Sequence, residues 1–128
     1  MRLLCASSIL AVISATTSQA AKVECTAQLI QACTEAGCET TPDTQFYTFD
    51  FSSGETISCI LEDGNPKCTS YTGAFADVTD RGKFGTMEAD GVIVAMIRYD
   101  PDKHKFTLTT PRSTEVRTAF GQCAEERP

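Results

Sequence analysis

Asp90-Gly91-Val92-Ile93-Val94-Ala95-Met96-Ile97-Arg98-Tyr99-Asp100-Pro101-Asp102-Lys103 is the stretch whose reading decides the fold. Its two ends are turn chemistry. Gly91 tolerates the positive φ that a two-residue hairpin turn requires, and Pro101 presets φ for a second turn. The apolar run between them, rich in β-branched residues, is short and bounded on both sides, which is the signature of a strand. Period-two reading puts Ile93, Ala95, Ile97 and Tyr99 on one face and Val92, Val94 and Met96 on the other. A run apolar on both faces predicts a central strand.

Working outward, the same alternation recurs. In Gln45 to Phe51, Tyr47, Phe49 and Phe51 share a face, which leaves Phe46 on the other as a candidate for contact with a partner. Thr56 to Leu61 groups Ile57, Cys59 and Leu61; Phe106 to Thr109 and Glu115 to Phe120 read as the last two strands. Glu62-Asp63-Gly64-Asn65-Pro66 and Asp80-Arg81-Gly82-Lys83 are turns by residue type. Val23 to Gly37 fits either period: Cys25, Leu29 and Cys33 repeat at four, while Cys25, Ala27, Leu29 and Cys33 also align at two. A first strand followed by a cysteine-pinned loop from Thr34 to Asp43 is the preferred reading, and a frayed tail is expected from Ala124. The prediction is an all-β chain, a small antiparallel β-sandwich or β-barrel of about 7–9 short strands, stapled by disulfides.

Residues 1–20 read as a signal peptide. Arg2 supplies the positive charge, Leu3 to Ile13 the apolar run, and Ser18-Gln19-Ala20 the small residues before a cleavage site. Residues 21–128 then form a single domain. No later segment approaches the length of a membrane-spanning helix, Val92–Ile97 being the strongest run. Cleavage removes Cys5 from the seven cysteines of the chain and leaves Cys25, Cys33, Cys38, Cys59, Cys68 and Cys123. An even number in a short exported chain predicts three disulfides, and a periplasmic or secreted location. Cys59 and Cys68 flank a turn, so a hairpin brings them opposite each other. The other four pair either as Cys33–Cys38 with Cys25–Cys123 or as Cys25–Cys38 with Cys33–Cys123. The spacings match no common zinc site, and the chain has no Cys-x-x-Cys redox motif. No metal or other cofactor is expected.

The chain carries a net charge of −6 at pH 7, and loss of Arg2 makes it −7. Such a chain repels polyanions, which argues against nucleic acid as a partner. No catalytic motif stands out. His104, the single histidine, sits between Lys103 and Lys105 on a turn, with no motif for a nucleophile that it would activate. Acidic pairs such as Asp100 and Asp102 lack the spacing of a calcium loop. A small hydrolase acting through two carboxylates needs a facing pair, which sequence spacing does not supply. Aromatic residues, among them Phe46, Tyr47, Phe49, Phe51, Tyr71, Phe75 and Phe84, either fill the core or line a ligand cavity in a small barrel.

In size class, in the expected β architecture and in a cysteine close to the C-terminus (Cys123), the chain resembles the periplasmic lysozyme inhibitors. The Ser-Gly-x-x-Tyr loop of that family has no counterpart, since Ser70-Tyr71-Thr72-Gly73 carries similar residues in another order. No inhibitory residue is therefore transferred. The leading expectation is a monomeric, non-catalytic binding or envelope-associated protein, its partner a protein or small molecule. The alternatives are an inhibitor-like or small-ligand-carrying barrel, or the carboxylate hydrolase. Loops on a rigid scaffold commonly carry recognition, so the candidate contact residues are Asp80, Arg81 and Lys83 in one turn and Lys103, His104 and Lys105 in the next.

Overall fold

The computed structural model describes residues 21–80 and 82–125. The strands are β1 (Lys22–Thr34), β2 (Gly37–Thr41), β3 (Gln45–Asp50), β4 (Thr56–Glu62), β5 (Asn65–Val78), β6 (Gly82–Ala89), β7 (Val92–Asp100), β8 (Lys105–Pro111) and β9 (Val116–Glu125). Every pairing is antiparallel, and from β3 to β9 each strand pairs with the next. β9 then returns to β1, in register from Val23↔Glu125 to Cys33↔Val116, and shuts the sheet into an eight-stranded barrel. β2 is the extra strand. It lies end to end with β3 along the other edge of β1, opposite Ile30–Thr34, while β3 covers Lys22–Thr26.

Local chemistry sets the corners. Asp63-Gly64 and Asp90-Gly91 both have positive φ at the two central positions, 50° and 79° in one and 52° and 78° in the other. That is the conformation of the tight turn whose twist matches that of paired strands. At the opposite end of the barrel, Asp100 Oδ1 accepts hydrogen bonds from the N–H groups of Asp102 (2.9 Å) and Lys103 (3.2 Å) and so shapes the β7–β8 turn.

The three disulfides are Cys25–Cys123, Cys33–Cys38 and Cys59–Cys68. Each joins directly opposite residues of paired strands. Cys123 N–H donates to His104 O at 2.7 Å, on the β8 side. Its pair with Cys25 is therefore a non-hydrogen-bonded one, where opposing side chains lie closest. Cys25 and Cys123 are buried, at 2% and 8% exposure.

Several expectations are corrected. Thr34–Asp43 is not a loop, because β1 turns directly into the hairpin strand β2. β9 runs on to Glu125, since β1 offers it partners up to Val23, so no fraying begins at Ala124. β7 is not buried on both faces: Val92, Ile93 and Met96 are 63%, 54% and 43% exposed. A closed barrel has one interior, and nothing among the described residues covers its outer face. A bulge also intervenes. Met87 pairs with Ala95 but Glu88 with Ile93, so Val94 is the extra residue, and it packs against the core in place of Ile93. The same device at Ala27/Leu29 turns Leu29 outward and Ile30 inward. The signal-peptide reading of 1–20 lies outside the described residues.

Aromatic residues fill the half of the barrel that holds the β3–β4, β5–β6 and β7–β8 turns. Phe51 stacks on Tyr99 with ring centroids 5.2 Å apart and meets Phe75 edge-on at 5.0 Å. Phe49 packs on Phe75 and Phe106, and Tyr47 on Phe106. Such pairs add to area burial. This end is closed.

Candidate functional site

The opposite half is open. A cavity of about 520 Å³ begins at Tyr47 and reaches the end of the barrel that carries the β4–β5, β6–β7 and β8–β9 connections. It exists because inward positions there are small or polar. Ala95 and Ala119 are too short to meet across the barrel, and β4, β5 and β8 present Ser58, Thr69 and Thr110 where the closed half presents aromatic rings. Its floor is apolar, with Tyr47, Met87, Leu108 and Ile30 among the lining residues.

Charge is distributed unevenly around it. The charged lining residues are Lys67, Arg112 and Arg117, all cationic, in a chain with 17 acidic and 11 basic residues. Carboxylates stand behind two of them. Arg117 Nε donates to Glu115 Oε1 at 2.8 Å, and its Nη1 lies 3.9 Å from Asp43 Oδ2. Lys67 Nζ is 2.6 Å from Glu62 Oε2. Arg112 has no ion pair among the described residues; its backbone N–H donates to Glu115 O at 2.8 Å and shapes the rim between β8 and β9. Deeper in, the Tyr47 hydroxyl donates to Gln45 Oε1. Burial, with Tyr71 beside it, pushes the Tyr47 hydroxyl up to about 12, while the nearby Arg117 guanidinium pulls it down. Tyr47 stays neutral at physiological pH and is a hydrogen-bonding group, not an anion.

The turns proposed from sequence lie at the other, closed end. The β5–β6 and β7–β8 turns meet there and bring Asp80 beside Asp100 and Asp102. Arg81 lies outside the described residues. Lys103 and His104 are exposed on the β7–β8 turn, where His104 Nδ1 is 3.5 Å from the Tyr99 hydroxyl, and Lys105 is the exposed first residue of β8. Lys83 is not an exposed loop residue. It lies on β6, its ammonium 5.0 Å from the centre of the Phe51 ring and 2.7 Å from Asp77 Oδ1, with 16% of its side chain exposed. The strand alternation turns Lys83 inward with Gly85 and Met87, and its long stem carries the charge back to the barrel end. Of the aromatic set, Phe49, Phe51 and Phe75 pack the core, Tyr47 and Tyr71 line the cavity, and Phe84 is 44% exposed.

Sequence reading missed the cavity lining. It grouped Ile57, Cys59 and Leu61 as an apolar face, yet Ser58 and Ile60 point inward and Cys59 faces out with Cys68. The signal lay in Lys67-Cys68-Thr69-Ser70-Tyr71. Once Cys68 joins Cys59 on the outer wall, Lys67, Thr69 and Tyr71 must face the interior.

Fold and site together define a disulfide-stapled, closed antiparallel barrel with one half packed and the other a lined cavity. No protein-family model matches the sequence, and comparison with curated proteins and with solved structures yields no match.

Proposed function

We propose that this protein is a non-catalytic binding protein that takes a small molecule into the open half of its barrel. The observation that carries the reading is the cavity itself. Its volume falls in the range of about 300–1,000 Å³ common for ligand sites, and it combines an apolar floor with a few convergent polar groups. Among the described residues the lining contains no histidine and no carboxylate, which favours binding over acid–base chemistry. Three disulfides suit an oxidising compartment, and with the leader-like residues 1–20 they favour an exported protein, periplasmic or secreted.

The test uses N-phenyl-1-naphthylamine, a neutral probe that fluoresces in apolar surroundings. One probe is expected to bind per barrel. Ala119→Leu and, separately, Ala95→Leu fill the cavity from two walls and are expected to weaken binding at least tenfold, with thermal midpoints close to wild type. Undiminished binding in both folded variants would overturn the proposal.

A further inference from the structure

The cavity also carries a statement about its ligand. An apolar floor selects an apolar body, and a rim whose charged lining residues are all cationic selects a negative head. The size of that negative charge is limited by the neighbours of each cation. Arg117 already faces Glu115 and Asp43, and Lys67 faces Glu62, whereas Arg112 has no ion pair among the described residues. A single anionic group at Arg112, with Lys67 and Arg117 beside it, meets a cation that no carboxylate among the described residues already pairs. A second negative charge would meet the three rim carboxylates. The same carboxylates, on a chain of net charge −6, oppose approach to an anionic membrane surface, which points to a free molecule. At about 30 Å³ per water-sized group, the 520 Å³ cavity takes a ligand of roughly 17 non-hydrogen atoms.

Building on the small-ligand reading above, we infer that the ligand class is an amphipathic monoanion. Its carboxylate-like head sits at the rim by Arg112, Lys67 and Arg117, and its aliphatic or flat apolar body lies against Leu108, Met87 and Tyr47.

The experiment is displacement of N-phenyl-1-naphthylamine from the mature protein by four compounds of equal chain length: dodecanoate, 1-dodecanol, dodecyltrimethylammonium and the diacid decylmalonate, whose two carboxylates share one head carbon. Dodecanoate is expected to bind at least tenfold more tightly than each of the others, and its advantage to shrink with added salt. In the double variant K67M/R112M the dodecanoate–dodecanol difference is expected to fall to within twofold, with dodecanol unchanged. Equal affinity for dodecanoate and dodecanol in wild type would overturn the head-group assignment while leaving the cavity reading intact. A preference for the cation or the diacid, or a dodecanoate preference that survives K67M/R112M, would overturn it as well. Failure of the probe itself to bind is the separate result that removes the small-ligand reading, and this inference with it.

Discussion

At the scale of single residues, Asp50 ties down the β3–β4 turn at the closed end. The Ser52 hydroxyl and the N–H groups of Ser52 and Ser53 all donate to its Oδ1, at 2.7, 3.0 and 3.1 Å. These bonds, the Ser52 hydroxyl foremost, hold the Asp50 carboxyl down at about 2. The unfolded chain keeps an ordinary carboxylate near about 3.9. A depressed carboxylate stabilises the fold above the unfolded value and loses that contribution as pH falls through the folded one. Asp50→Ala should therefore cost about 1 kcal/mol at pH 7. Urea titrations should show the wild type's advantage undiminished at pH 5 and shrinking between about pH 4 and pH 2. An advantage independent of pH would mean that the carboxylate charge is not what the turn uses.

At the scale of the element, barrel strands must bend, and the bends are placed where side chains are absent or extra. Gly121 faces inward on β9 opposite Ala27, beside the β1 bulge. A Cβ there would run into the Thr26 carbonyl oxygen and lie 2.6 Å from the Phe106 ring. Backbone cannot yield as a flexible side chain does, so Gly121→Ala should destabilise by at least about 2 kcal/mol in chemical denaturation. A loss below about 0.5 kcal/mol would show that the strands have room to part. The elements also show what was legible beforehand. The strand at Val92–Tyr99, the inward face of Tyr47 and Phe49, and the Asp90-Gly91 turn were readable because turn chemistry and aromatic alternation are local. Leu29 and Ile93 were misread because a bulge shifts the alternation by one residue, and its position depends on the partner strand. Ser58, Thr69 and Arg117 were hidden for a different reason. Polar alternation marks a face without saying whether that face meets bulk water or a cavity.

At the scale of the whole molecule, the pairing of β1 with β9 converts a meander into a barrel, and Cys25–Cys123 locks it. That bridge spans 98 residues, whereas Cys59–Cys68 spans 9. In the chain-entropy account the two restrict the unfolded chain by about 4.7 and about 2.6 kcal/mol. Replacing both cysteines of the long bridge with alanine should therefore cost about 2 kcal/mol more than the same change at the hairpin bridge, measured by guanidinium unfolding. Equal losses would show that native packing, not loop closure, sets their worth. Sequence alone determined what depends on near neighbours: strand-forming stretches, the turns between them, and the cross-hairpin bridge Cys59–Cys68. It left open sandwich or barrel, the partner of Cys123, and the gathering of Lys67, Arg112 and Arg117, which are scattered charges along the chain. The tertiary structure decided these, because closure brings β1 to β9 and gathers inward positions from separate strands around one opening. Alternation gives every strand two faces, and only the closed register says which face lies inside.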